Sequence, residues 1–538
     1  MSLSIVHTRA ALGVNAPPIT VEVHISKGLP GLTMVGLPET TVKEARDRVR
    51  SAIINSGYEY PAKKITINLA PADLPKEGGR YDLPIAIALL AASEQLTANK
   101  LDEYELVGEL ALTGALRGVP GAISSATEAI KSGRKIIVAK DNEDEVGLIN
   151  GEGCLIADHL QAVCAFLEGK HALERPKPTD AVSRALQHDL SDVVGQEQGK
   201  RGLEITAAGG HNLLLIGPPG TGKTMLASRI NGLLPDLSNE EALESAAILS
   251  LVNAESVQKQ WRQRPFRSPH HSASLTAMVG GGAIPGPGEI SLAHNGVLFL
   301  DELPEFERRT LDALREPIES GQIHLSRTRA KITYPARFQL VAAMNPSPTG
   351  HYQGNHNRCT PEQTLRYLNR LSGPFLDRFD LSLEIPFHNR CTPEQTLRYL
   401  NRLSGPFLDR FDLSLEIPLP PPGILSKTVV PGESSATVKQ RVMAARERQF
   451  KRQNKLNAWL DSPEIRQFCK LESEDAMWLE GTLIHLGLSI RAWQRLLKVA
   501  RTIADIDQSD IITRQHLQEA VSYRAIDRLL IHLQKLLT

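Results

Sequence analysis

The sequence predicts an α/β protein in three parts: a mixed α+β N-terminal domain, a parallel-sheet domain around a glycine-rich loop, and a helical C-terminal domain. Three observations predict it. Apolar and polar residues alternate over 19–26 and 64–75, as in half-buried strands. Continuous apolar runs at 211–217, 296–302 and 338–345 read as buried strands separated by helical stretches, the pattern of a parallel sheet covered on both faces. From 438 onward leucine and alanine recur every three or four residues, as in packed helices.

Each part follows from its residues. The first spans 1–167; its stretch 83–96 is apolar nearly all round and suits a buried helix, and 135–140 is a short core strand. Residues 168–189 are polar, contain Pro176 and Pro178 and lack periodicity, so they read as a linker. The sheet domain takes 190–437 and the helical lid 438–538. With 538 residues there is ample length for three or four cores. Lys plus Arg equals Asp plus Glu at 61 each, which excludes a basic nucleic-acid coat and an acidic tail protein, so any polyanion contact must be a local patch. Five cysteines, none spaced C-x-x-C, exclude a disulfide framework and a zinc ribbon. No apolar run reaches membrane-spanning length, and the expected location is the cytoplasm.

One segment occurs twice. HNRCTPEQTLRYLNRLSGPFLDRFDLSLEIP stands at 356–386 and again, unchanged, at 388–418, with Phe387 between. Solenoid repeats diverge and need three or more copies, so this is no architecture: it reads either as a recent tandem duplication or as an error in the sequence. The expectation is that one copy supplies a strand beside the run 338–345, that the close-packed sheet has no room for the other, and that the first copy takes the slot.

Gly217, Pro218, Pro219, Gly220, Thr221, Gly222, Lys223 and Thr224 match G-x-x-x-x-G-K-[ST], between a buried strand and a helix. In that setting backbone N–H groups and the helix N-terminus cradle phosphates. Lys223 would reach the β- and γ-phosphates of ATP, and Thr224 would ligate Mg²⁺. The run 296–302 ends in Asp301 and Glu302. Asp301 would hold Mg²⁺ through its water shell, and Glu302 would polarise the attacking water. Asn345, at the end of the next run, is placed to orient that water; a turn-forming Asn-Pro is the plainer alternative.

These elements, in this order, resemble AAA+ ATPases. RPFRSPHHSAS (264–274), VGGGAIPGPGEISLAHNGVLFLDE (279–302) and LREPIESGQIHLSRTRAKITYPARFQLVAAMNP (314–346) resemble the magnesium-chelatase family of D-type and I-type motor proteins, and within it the competence protein ComM subfamily. The resemblance implies a ring, as a hexamer, with ATP between protomers. It implies an insertion at 272–294, a hairpin at 322–334, an arginine finger in LDRF (present twice, as Arg378 and Arg410) and a sensor arginine, Arg491. It further implies a DNA helicase that migrates branched DNA during recombination of incoming DNA, with branched or single-stranded DNA and recombination proteins as partners. A protein-remodelling motor, as in the chelatase branch, is the alternative. Where relatives carry cysteines, His351, His356 and Cys359 remain, open between a zinc site and a solvated loop.

The N-terminal domain resembles the Lon-protease fold. Arg80 stands at the nucleophile position and Ile123 at that of the catalytic lysine, so the domain is expected to be non-catalytic: an arginine has no lone pair for attack. Arg327, Arg329 and Lys331 alternate near the hairpin tip and share one face, able to hold successive phosphates; an ordinary solvated hairpin is the alternative. The stretch 439–455 sets Lys439, Arg441, Arg446, Arg448, Lys451, Arg452 and Lys455 against Glu447 alone, either a charged helix face or a second polyanion site.

Overall fold

The computed structural model describes residues 2–36, 40–76, 78–97, 100–149, 153–178, 188–217, 220–253, 255–282, 285–326, 331–344, 381–384, 414–416, 432–485 and 490–523. The N-terminal sheet comprises β1 (Ser2–Arg9), β2 (Pro18–Ser26), β3 (Gly31–Val35), β4 (Lys64–Ala70), β5 (Tyr104–Val107), β6 (Lys135–Ala139) and β7 (Cys154–Ala157). Its order is β3-β4-β2-β1-β5-β6-β7. The pairs β1–β2 and β2–β4 are antiparallel and the other four are parallel. The alternation at 19–26 buries Ile19, Val21, Val23 and Ile25 on one face. Against that sheet lie α1 (Thr40–Asn55), the almost wholly buried α2 (Asp82–Ala92) and α3 (Ala122–Lys131). Arg9 grips the buried Glu105 with two nitrogens at 2.6 and 3.0 Å, tying β1 to β5.

The second sheet lies behind α4 (Glu197–Gly209) in the chain. It uses β8 (Leu213–Ile216), β9 (Phe266–Arg267) and β10 (Val297–Leu300); β11 (Gln322–Ser326) and β12 (Lys331–Pro335) form a separate antiparallel hairpin; then come β13 (Gln339–Met344), β14 (Leu381–Glu384) and β15 (Ser414–Glu416). The sheet order is β9-β10-β13-β8-β14-β15, parallel throughout. Its helices include α5 (Lys223–Leu233) and α6 (Asn239–Ser250).

Two expectations about the duplication are corrected. The LSLE strand of the first copy pairs with β8, the strand that enters the glycine loop, and not with β13. Nor is the second copy's strand shut out: β15 adds to β14 in parallel, Leu383 opposite Leu415 and Glu384 opposite Glu416, the same residue of each copy. The physical reason is that β14 would otherwise be an edge, with backbone groups free to pair, and identical segments pair in register. The sheet thus grows outward, where close packing sets no limit.

The last part comprises α7 (Ser435–Gln453), α8 (Ser473–His485), α9 (Ile490–Ile506) and α10 (Arg514–Ser522). Leu203 and Leu226 of the sheet domain share one continuous core with Val442, Leu497 and Ala500 of these helices. The N-terminal domain also docks on the sheet domain. Ile123 and Leu148 pack with Leu237, Ala246 and Trp261. The Gly121 N–H donates to the Ser250 carbonyl at 3.2 Å, at the end of α6. Leu12 and Val14 pack onto the apolar side of the hairpin, with Ile323, Leu325, Ile332 and Tyr334.

Candidate active site

The site is built where three parallel strands end together. After β8 the chain turns through the glycine loop into α5. Gly220 and Gly222 stand at φ +79° and +86°, a region that favours glycine, and a Cβ on either would meet nothing within 4 Å. Lys223 opens α5; it is buried, and its Nζ donates to the Gly217 carbonyl at 2.8 Å. Burial pushes its ammonium down to about 8, against the opposing pull of Asp301.

The apolar run of β10 delivers Asp301 and Glu302 to the same edge. The Thr224 hydroxyl donates to Asp301 Oδ2 at 2.6 Å. Asp301 Oδ1 accepts from the Glu302 backbone N–H at 2.8 Å. Glu302 adopts φ +51°, a left-handed conformation that costs a non-glycine residue about 1–3 kcal/mol and recurs at functional sites. Its carboxylate meets a residue that sequence reasoning missed: His271 Nδ1 lies 3.1 Å from Glu302 Oε2. The paired histidines of SPHHS were the available signal; that β9 lies parallel beside β10, so that the chain after Arg267 continues toward the strand end where Glu302 stands, was not legible. Arg267 is anchored through two 2.7 Å contacts to Glu289.

Gly220, Gly222, Lys223, Thr224, Met225, Asp301, Glu302 and Met344 line a cavity of ≈ 390 Å³ at this edge. A hydroxyl and a carboxylate meeting beside a buried lysine fit a hydrated Mg²⁺ carried on a polyphosphate. Gly217 and Thr221 complete the described part of the loop; Pro218 and Pro219 lie outside the described residues. So do Asn345, Arg327, Arg329, Arg378, Arg410, His351, His356 and Cys359. Arg491 falls in the first turn of α9. Lys331 opens β12 opposite Ser326 and is exposed.

The other candidates resolve through their partners. Arg80 and the segment around Ile123 do come together: Arg80 donates to the carbonyls of Pro120 and, at 3.3 Å, Arg9. Ile123 is buried, with its backbone N–H on Glu145 at 2.8 Å. On α7, Lys439 meets Asp236, Arg441 meets Glu204 and Glu433, Arg448 meets Asp510, Lys451 meets Glu447, Arg452 meets Asp505, and Lys455, just beyond, meets Glu464. Their charge is largely spent within the protein, which removes most of this stretch as a polyanion site. Among the described residues no helix is long and apolar enough to cross a membrane, and no group of three metal-ligating side chains is found.

The parallel sheet, the glycine loop entering a helix and the carboxylates at the neighbouring strand end define an AAA+ type P-loop domain, here between an N-terminal domain and C-terminal helices. The family profile for magnesium chelatase, subunit ChlI, matches 189–390 and 386–423, two segments that meet where one copy of the duplication gives way to the other. A second, for subunit ChlI of Mg-chelatase, matches 21–142, and the ChlI C-terminal profile matches 432–524. The chain belongs to the magnesium-chelatase family of AAA+ ATPases, in its ComM branch. It is 94% identical over 538 residues to the uncharacterized protein YifB of Escherichia coli K12, with all of both chains covered. It is 56% identical to competence protein ComM of Haemophilus influenzae, over 98% of this chain and 99% of that one. It is 28% identical to the magnesium-chelatase 38 kDa subunit of Rhodobacter capsulatus, over 39% of this chain and 59% of that one.

Proposed function

We propose that this protein is a ring-forming ATPase, a hexamer, that couples ATP hydrolysis to branch migration of DNA during recombination of incoming DNA. The observation that carries the ATPase reading is the meeting of Thr224 and Asp301 at 2.6 Å, beside Lys223 and Glu302. DNA as substrate is supported by the 56% identity to a competence protein and by the alternating cations of the hairpin.

Lys223 would exchange its contact with the Gly217 carbonyl for β- and γ-phosphate oxygens. Thr224 would ligate Mg²⁺ directly and Asp301 through its water shell; the ion, when bound, neutralises developing phosphate charge. Glu302 would draw a proton from the attacking water, with His271 holding that carboxylate in place. Asn345 would orient the water, Arg491 would touch the nucleotide from the helical domain, and Arg378 or Arg410 would reach a neighbouring protomer's ATP. Contacts made across protomers would let one protomer's hydrolysis move the next along a polymer in the pore.

The test is the ATPase rate with no DNA, linear duplex and a four-way junction. Stimulation by the junction above duplex is expected. The second reading, a motor that remodels a partner protein, rests on similarity to the magnesium-chelatase 38 kDa subunit. An ATPase indifferent to every form of DNA would favour it.

A further inference from the structure

A second cavity, of ≈ 550 Å³, lies at the opposite edge of the ATPase sheet. Gly210, Gly296 and Phe338 line it where β8, β10 and β13 begin, whereas the phosphate loop follows where β8 ends. Its other wall is helical: Met443, Arg446 and Phe450 share one face of α7, at i, i+3 and i+7, and Trp459 follows in the next turn. The volume is ordinary for a binding site.

Arg446 sets this cavity apart. Of the seven cations in 439–455 it is the one with no carboxylate bonded to it among the described residues. It is also the most buried of them, at 9% exposure. Its Nε and one terminal nitrogen both donate to the Ala207 carbonyl, at 2.9 and 2.7 Å, in the last turn of α4, so the guanidinium rests on a helix C-terminus and not on a bonded carboxylate. Arg264, on the same cavity, is compensated by Glu241. Burial, with Arg264 nearby, pushes Arg446 down to about 9, against the opposing pull of Glu241. A buried guanidinium without a bonded anion is costly, and a carboxylate docking beside it would offset part of that cost. Around it Met443, Phe450 and Trp459 are each about half exposed, although large apolar side chains gain by leaving water.

We infer that this cavity binds the C-terminal residue of an acidic partner chain, its apolar side chain between Phe450 and Trp459 and its terminal carboxylate on Arg446. Aspartate or glutamate side chains bring a carboxylate without an apolar body. A chain-terminal Phe, Leu or Ile brings both in one residue. Acidic residues upstream would meet the exposed Arg337 at the rim. The site stands independently of the ATPase reading, because it lies at the other edge of the sheet.

The experiment uses the full-length protein and fluorescein-labelled peptides Asp-Asp-Glu-Leu-X, with X as Phe, Leu or Ile, read by fluorescence anisotropy. At least one free-acid peptide should bind, and its C-terminal amide should bind at least about tenfold more weakly, as loss of a buried charged partner implies. Arg446→Gln should weaken binding by a similar factor. Because Arg446 also braces Ala207, Trp459→Ala at the exposed rim is the second variant: it should keep the circular-dichroism spectrum and lose binding. Arg448→Gln, at a cation already paired with Asp510, should bind normally. Equal binding of acid and amide, or no binding of any peptide at millimolar concentration, overturns the proposal. N-acetylphenylalanine competing as strongly as the peptide would assign the cavity to a free carboxylic acid and overturn the partner reading.

Discussion

His271 Nδ1 lies 3.1 Å from Glu302 Oε2, and Glu302 itself is held in a left-handed backbone conformation. Two constraints thus aim one carboxylate. His271→Ala should lower kcat of ATP hydrolysis by about 10²-fold, as misplacement of a reacting group by an ångström does, and leave KM nearly unchanged. Glu302→Gln should bind ATP and trap it, because Thr224 and Asp301 remain. Single-turnover kinetics with labelled ATP separates the two; a normal rate in Glu302→Gln removes the role given to Glu302.

Lys223→Ala should abolish nucleotide binding. The buried cation is the loop's one side-chain charge, and no other described residue lining the cavity supplies a positive group. Equilibrium binding of a fluorescent ATP analogue reads this directly, and wild-type affinity in the variant would place the nucleotide elsewhere.

Replacing Arg327, Arg329 and Lys331 by Ala should reduce the salt slope of DNA binding by up to about three units, since roughly 0.7–0.9 counterions are released per phosphate contact. With most cations on α7 paired internally, that helix is a poor substitute. An unchanged slope alongside intact ATPase activity would take the hairpin out of the DNA site.

The two arginine-finger candidates should differ. β14 of the first copy sits beside β8, and β15 of the second sits one strand further out. In the chain Arg378 comes three residues before the inner strand and Arg410 four before the outer one. Arg378→Ala should slow hydrolysis by about 10³-fold or more, and Arg410→Ala should change it little. The reverse result would give the finger to the second copy, and equal partial losses would mean that the two copies exchange places.

Asp189 joins the start of the ATPase domain to α7. Its carboxylate accepts N–H bonds from Ser191 at 2.8 Å and from Ser435 at 3.1 and 3.2 Å. Partial burial works against the charge, but these bonds outweigh it and hold the carboxyl below its usual range. Asp189→Ala should cost about 1 kcal/mol at pH 7. A depressed carboxyl stabilises above the unfolded value, ~3.9, and the stabilisation is lost as pH falls through the lower folded value. The difference in urea midpoint between wild type and variant should therefore shrink on acidification below about 4; a gap that widens there would refute the role given to this carboxylate.

The sequence by itself determined what is local. The run 211–224 is strand, loop and helix in unbroken order, so spacing alone placed Lys223 and Thr224 together, and the acidic end of 296–302 followed from the same strand logic. The expectation that Arg80 and Ile123 carry no peptidase chemistry rests on residue type alone, because an arginine is no nucleophile wherever the chain goes. Tertiary structure decided what depends on residues far apart. The strand of the first copy is drawn to β8 because hydrogen-bond pairing, not chain order, fills the sheet, and the second copy joins it because an edge is open. The charge of 439–455 read as surplus basicity only while Glu204, Asp505 and Asp510 were distant in the chain. Among the described residues, folding gives six of the seven cations a bonded carboxylate, from these or from nearer acids, and leaves Arg446 on the Ala207 carbonyl, because Coulomb attraction acts across space and a linear sequence carries no distances.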